Sequence, residues 1–173
     1  FTSPHYLSLI TDGNGLNPLL QNFWMLSHPP VIFIGYALTF IPFIYGIAGR
    51  LDNDREWITK ATKWSIGALL VLSIGILLGA LWAYESLPFG GFWAWDPVEN
   101  ASLIPWIFTV VAIHILLIAR KKNAFHNTAF IFTTFPFLLV LYASFLTKSG
   151  VLADTSVHSF ADQGKFWHIL FPL

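Results

Sequence analysis

Four stretches of the chain, 31–49, 64–84, 101–119 and 128–147, contain no Asp, Glu, Lys or Arg at all. A helix needs roughly 20 apolar residues to cross a bilayer. Backbone groups left unpaired in hydrocarbon cost several kcal/mol each, so a helix is the local structure such a stretch must adopt there. In each stretch the apolar character runs all round the helical wheel, as burial in lipid or in a bundle requires. A fifth apolar run starts at 166 and is cut off where the sequence stops at Leu173. The expected fold is therefore all-α: a polytopic integral membrane helical bundle of four full transmembrane helices plus a truncated fifth. With no composition shift, repeat or low-complexity tract, residues 1–173 read as part of a single transmembrane domain.

Composition excludes the other classes. Charged residues make up 10% of the chain, against about a quarter in soluble domains, and the mean hydropathy is +0.64. A soluble globular domain and a disordered chain both fail on these figures. Nine basic and nine acidic residues cancel, which leaves no cationic surface for nucleic acid. There is no cysteine, hence no disulfide framework, thiolate metal site or cysteine nucleophile. The chain opens on Phe1 rather than Met and reads as part of a longer protein.

The basic residues give an orientation. Arg50, Arg55, Lys60, Lys63, Arg120, Lys121 and Lys122 all flank the same ends of the stretches, and Lys148 and Lys165 lie at the other. Positive charge marks the cytoplasmic side. Segments 1–30, 85–100 and 148–165 then share the outer face. Gly13-Asn14-Gly15 and Asn17-Pro18 mark turns. Pro29-Pro30 is expected at the start of the first span, where proline is tolerated. Pro42, Pro105 and Pro136 are expected to kink theirs.

The outer loop 85–100 sets Phe89, Phe92, Trp93 and Trp95 around Gly90-Gly91. Glycine permits close approach to the backbone, and the aromatic rings offer flat stacking faces. By residue type, this is either an interfacial aromatic belt or a cradle for a flat ligand. Asp96, Glu99 and Asn100 suit a helix N-terminus and are equally able to hydrogen-bond a ligand; Glu85 is similarly ambiguous. His28 and His158 fall on the same outer face, either as solvated loop residues or as metal ligands. Imidazole is the commonest protein metal ligand. His114 lies within the third span, where an ionisable residue faces the bundle or a cavity and marks function by default. It is eighteen residues from Asp96, about 27 Å along a helix, so one bound ligand of cofactor size cannot reach both. His5, His126 and His168 read as having no role, with His126 on the surface beside the basic turn.

Gly90-Gly91-Phe92-Trp93-Ala94-Trp95-Asp96-Pro97-Val98-Glu99-Asn100-Ala101-Ser102 resembles the tryptophan-rich "WWD" signature of the haem-handling membrane proteins CcmF, CcsA and CcmC. The form ending Asp-Pro-Val-Glu-Asn-Ala-Ser is closest to CcmF and its CcsA-like relatives. Gly15-Leu16-Asn17-Pro18-Leu19-Leu20-Gln21, then His28-Pro29-Pro30 and Gly35-Tyr36, resembles the family's segment bearing one outer-face histidine. Thr147-Lys148-Ser149-Gly150-Val151-Leu152, then Ser156-Val157-His158-Ser159-Phe160, resembles the segment bearing the other. The departures are Phe89 and Phe92 where the family often has Trp, Lys148 where it often has Arg, and an insertion at Ala153-Asp154-Thr155.

The resemblance implies cytochrome c-type biogenesis at a bacterial inner membrane or its organelle equivalent. A haem b held on the outer face by His28 and His158, against the loop residues 90–100, would be ligated to the C-x-x-C-H motif of apocytochrome c. His114 would bind a second, transmembrane haem that passes electrons, with quinol as their source. Partners would be apocytochrome c and either a haem-delivery chaperone or a ResB-like protein. The alternative is a haem exporter or carrier that delivers haem to a separate lyase.

Overall fold

The computed structural model describes residues 18–149, 151, 152 and 156. Each of the four apolar stretches forms one helix longer than itself: α1 Phe23–Leu51, α2 Trp57–Ser86, α3 Pro97–Lys122 and α4 His126–Lys148. A 3-10 turn, Pro18–Leu20, precedes α1. The shortest, α4, has 23 residues and so spans about 35 Å at 1.5 Å per residue, against about 30 Å of hydrocarbon. All four are long and apolar enough to cross a membrane, and no strand occurs among the described residues. The run beginning at 166 lies outside the described residues.

The caps explain the extra length. Asn22 starts α1 by accepting a hydrogen bond from the Trp24 N–H at 2.7 Å, a standard N-cap arrangement. Pro29 and Pro30 therefore lie inside α1 rather than at its start. Ser27 Oγ donates to the Phe23 and Trp24 carbonyls in the turn where the prolines disturb the ladder. Asp96 starts α3 with a capping box: its carboxylate accepts from Val98 N at 2.7 Å and Glu99 N at 3.3 Å, while Glu99 accepts from Asp96 N. Pro97 at the first helical position lacks only an N–H that would be unpaired there anyway. The outer segments are thus shorter than 1–30 and 85–100, because 23–30 and 97–100 are helical. Pro42, Pro105 and Pro136 sit buried inside continuous helices.

Short connections make the helices alternate in direction. α1 packs mainly on α2 and α3 on α4; α2 with α3 and α1 with α4 close the ring, and α2 scarcely meets α4. The packing is inverted relative to a water-soluble bundle. Many buried positions are small, such as Ala61, Ala68, Ala112, Ala129 and Ala143, while Leu70 and Leu77 of α2 are 62% and 58% exposed. Lipid solvates leucine as well as a protein core does, so association rests on close backbone approach at small residues. A Cβ on Gly75 would stand 3.0 Å from the Ile32 Cα. Buried hydroxyls turn back to their own helix, as Thr62 to Ile58 O and Thr109 to Pro105 O. Trp106 Nε1 donates across to Ser73 Oγ at 2.7 Å.

The seven basic residues gather at one end of the bundle. There Arg50 donates to Asn127 and Arg55 to Asn123, tying the α1–α2 connection to the α3–α4 turn. His126 is not a free surface residue: both ring nitrogens are buried without a hydrogen-bond partner among the described residues. α4 begins at His126 itself, so its ring falls in the first turn of the α3–α4 pair rather than on a protruding loop.

Candidate functional site

The opposite end of the bundle, which carries the aromatic loop, holds a cavity of about 400 Å³. Its walls come from every helix: His28, Phe33 and Tyr36 of α1, Gly79 and Trp82 of α2, Glu99 and Ser102 of α3, and Thr147 and Lys148 of α4. Trp93 enters from the loop. The size lies within the range of cofactor and ligand sites.

His28 is the best-defined polar group in it. Its Nδ1 lies 2.8 Å from the Gly75 carbonyl of α2. A carbonyl can only accept, so Nδ1 carries the proton and Nε2 keeps its lone pair. This is the arrangement that orients metal-binding imidazoles. The ring fits because Gly79 has no side chain: a Cβ there would stand 2.8 Å from both Cε1 and Nδ1. His28 is thus seated by Gly75-x-x-x-Gly79, the small-residue spacing that lets α1 and α2 approach.

The loop is held by its own carboxylates. Glu99 accepts from the N–H groups of Ala94, at 3.0 Å, and Asp96. Asn100 Nδ2 donates to Trp95 O, bracing Trp95 at φ 58°, a conformation that side chains with a Cβ disfavour. Gly90 takes φ 70° without that penalty. Trp93 and Trp95 meet edge-on at 6.3 Å and diverge in exposure. Trp93 lines the cavity with a buried Nε1 that has no partner among the described residues, while Trp95 is 72% exposed. Phe92 stacks on Tyr84, with centroids 4.3 Å apart and planes 7° apart. Ser156 Oγ donates to Asp96 at 2.8 Å, so the chain two residues ahead of His158 is fastened to the loop. Glu85 accepts from Asn22 and from Trp24 Nε1, and Trp82 Nε1 donates to Leu19 O. These bonds clip the approach to α1 against the end of α2.

The structure therefore brings His28, Trp93 and Glu99 together around one cavity. Asp96 and Asn100 frame the loop, while Gly90, Gly91, Phe92 and Trp95 do not line the cavity. His158 lies outside the described residues. His114 stands apart, about 22 Å beyond Glu99 at the helical rise. It is exposed on the bundle surface, and its Nδ1 lies 2.8 Å from Val110 O, which again leaves Nε2 free. Tyr36 and Lys148 belong to the motifs quoted above, but their place in the cavity wall, like the Gly75–Gly79 pair, emerges only here. The G-x-x-x-G spacing within 64–84 was the available signal for the glycines. No group of three His, Asp or Glu able to hold a bare metal ion occurs among the described residues. A lone histidine suits an iron whose other ligands arrive with it, as in a porphyrin.

These features define an integral membrane helical protein with a histidine-bearing, aromatic-lined cavity at one end. The family model described as cytochrome C assembly protein matches residues 2–152, and the chain belongs to that family. It is 43% identical over 152 residues to the cytochrome c-type biogenesis protein CcmF of Pseudomonas fluorescens, covering 87% of this chain and 23% of that protein. Against CcmF of Escherichia coli the identity is 40% over 154 residues, with the same coverage. The protein ccl1 of Rhodobacter capsulatus is 38% identical over 181 residues, all of this chain and 27% of its own length. A solved structure titled cytochrome c heme lyase CcmF superposes with a TM-score of 0.67 at 35% identity, over 78% of this chain and 23% of that one. The chain spans about a quarter of the length of these relatives.

Proposed function

We propose that this chain forms the outer-face haem site of a cytochrome c synthase. The observation that carries this reading is the convergence on one cavity. His28, the Trp93–Glu99 loop and the Thr147-Lys148 segment lie far apart in sequence and line the same space, with His28 Nε2 available. The positive-inside asymmetry supports an outer-face position for this cavity. Haem is the substrate. His28 and His158 are the ligands to its iron, and the Ser156–Asp96 bond ties Ser156 to the loop on the same face. Trp93 and the cavity walls hold the macrocycle and exclude water. Apocytochrome c supplies the thiols. Each S–H adds across a vinyl C=C, sulfur to one carbon and hydrogen to the other, with no net change of redox state. The chain contributes positioning, which alone is worth several orders of magnitude in rate. Its lack of cysteine fits, since the reacting sulfur belongs to the acceptor. His114 would hold a second haem within the membrane, which would supply electron transfer.

The test is haem content by pyridine haemochrome and holocytochrome yield, measured on the full-length parent with His28→Ala, His158→Ala and His114→Ala. Separate loss of haem in the outer and His114 variants, with loss of holocytochrome in all, is expected. Unchanged haem and yield in both outer variants would refute the assignment. Haem that is bound and passed on, while a C-x-x-C-H acceptor stays unmodified without another protein, would replace the synthase by a carrier.

A further inference from the structure

The same cavity holds a cation with no counter-ion among the described residues. Lys148 is the last residue of α4, half-buried, with Nζ 5.5 Å from the centroid of the Phe33 ring across the bundle. Its place at a helix C-terminus suits the macrodipole, but that field does not explain why the side chain lines an apolar cavity. The carboxylates described at this end are already engaged. Glu85 takes Asn22 and Trp24, Asp96 takes two N–H groups and Ser156, and Glu99 takes two N–H groups. The salt bridge among the described residues, Lys60 to Glu56, is at the far end. Trp93 Nε1 is a second donor on the same cavity, unmatched among the described residues. A half-buried ammonium and a buried indole N–H both lower their cost by meeting an anion.

We propose that Lys148 is the anion-binding residue of this cavity and that it selects and orients the ligand by a carboxylate. The proposal rests on the haem reading above and adds to it. Haem carries its two carboxylates on the edge away from its vinyl groups. Pairing that edge with Lys148, with Trp93 Nε1–H as a further donor, turns the vinyl edge away from α4 and leaves it free for the incoming thiols. Lys148 is a positioning residue; it acts on the ligand's orientation and not on the bonds that change.

The experiment compares protohaem with its dimethyl ester, in which both carboxylates are capped, on the full-length parent protein. The His28→Ala variant subtracts haem held elsewhere. The parent is expected to bind haem about tenfold or more tighter than the ester, the scale of one charge-assisted hydrogen bond. Lys148→Gln is expected to bring haem down to the ester's affinity while leaving the ester unchanged, which also shows the variant is folded. Lys148→Arg is expected to retain the preference. Equal affinity for haem and ester in the parent overturns the proposal without any variant and leaves the haem reading standing. An undiminished preference in Lys148→Gln does the same. Failure of both ligands to show His28-dependent binding removes the haem reading and this inference together.

Discussion

Gly79→Ala tests how His28 is seated. The added methyl would stand 2.8 Å from His28 Cε1 and Nδ1 and 3.3 Å from Nε2, inside any tolerable contact. The ring must swing, and its 2.8 Å bond to Gly75 O is lost. Alanine in place of a helical glycine gains about 1 kcal/mol. Against that stand about 1 kcal/mol for the hydrogen bond and about 1–3 kcal/mol for overpacking. The net expectation is a loss of about 1–3 kcal/mol in stability, with a 10–100-fold drop in outer-haem affinity, the usual cost of removing the partner that orients a metal-binding histidine. Gly67→Ala is the control. It lies in the same helix with nothing within 4 Å of the added methyl, so stability should hold or rise by up to about 1 kcal/mol and haem affinity should not move. Thermal unfolding in detergent and haem titration of the full-length parent read both quantities. A Gly79→Ala protein that keeps its haem affinity within twofold would show that the Gly75 contact does not prepare His28 for iron.

Three further outcomes follow from the geometry. Asp96→Ala removes the α3 capping box and the Ser156 bond; a loss of about 1–2 kcal/mol is expected, with faster proteolysis after residue 149, and Asp96→Asn should recover part of it in the same unfolding assay. Trp93→Phe keeps an aromatic ring but deletes a buried N–H that has no partner among the described residues. The haem-free protein should be as stable as the parent or more so, since an unsatisfied donor is gone, while haem binding weakens; equal weakening of stability and binding would mean the indole acts only by packing. Ser73→Ala breaks the Trp106 Nε1–Ser73 Oγ bond between α2 and α3 at membrane depth and should cost about 0.6 kcal/mol, at most about 1.7, by thermal unfolding with haem content unchanged.

Much of the architecture was legible from residue types alone. The charge-free stretches named all four helices, because length and hydrocarbon thickness leave little choice. The basic residues also sorted the connections into two ends, because seven of nine flank the same ones. The helix starts were less legible: Asn22 and Asp96 extended α1 and α3 beyond their apolar stretches, so the prolines at 29 and 30 became internal. Asp96 and Glu99 read equally well as caps or ligand-binding groups, and the structure shows their carboxylates occupied by the backbone while Glu99 also borders the cavity.

The sequence by itself determined that the chain is a membrane bundle and which ends of its helices lie together, since these depend on hydrophobicity, charge and local spacing. Only the tertiary structure decided which motif residues share a cavity. Trp93 and Trp95, two residues apart, part company because the αL backbone at Trp95 turns one indole outward and leaves the other inside. His28 and Gly79, 51 positions apart, meet because α1 and α2 approach through glycine. Lys148 joins them because the ring of four helices brings the end of α4 beside the start of α1. Such contacts depend on how helices cross, and crossing is set by side-chain volumes on facing surfaces, which no single stretch of sequence contains.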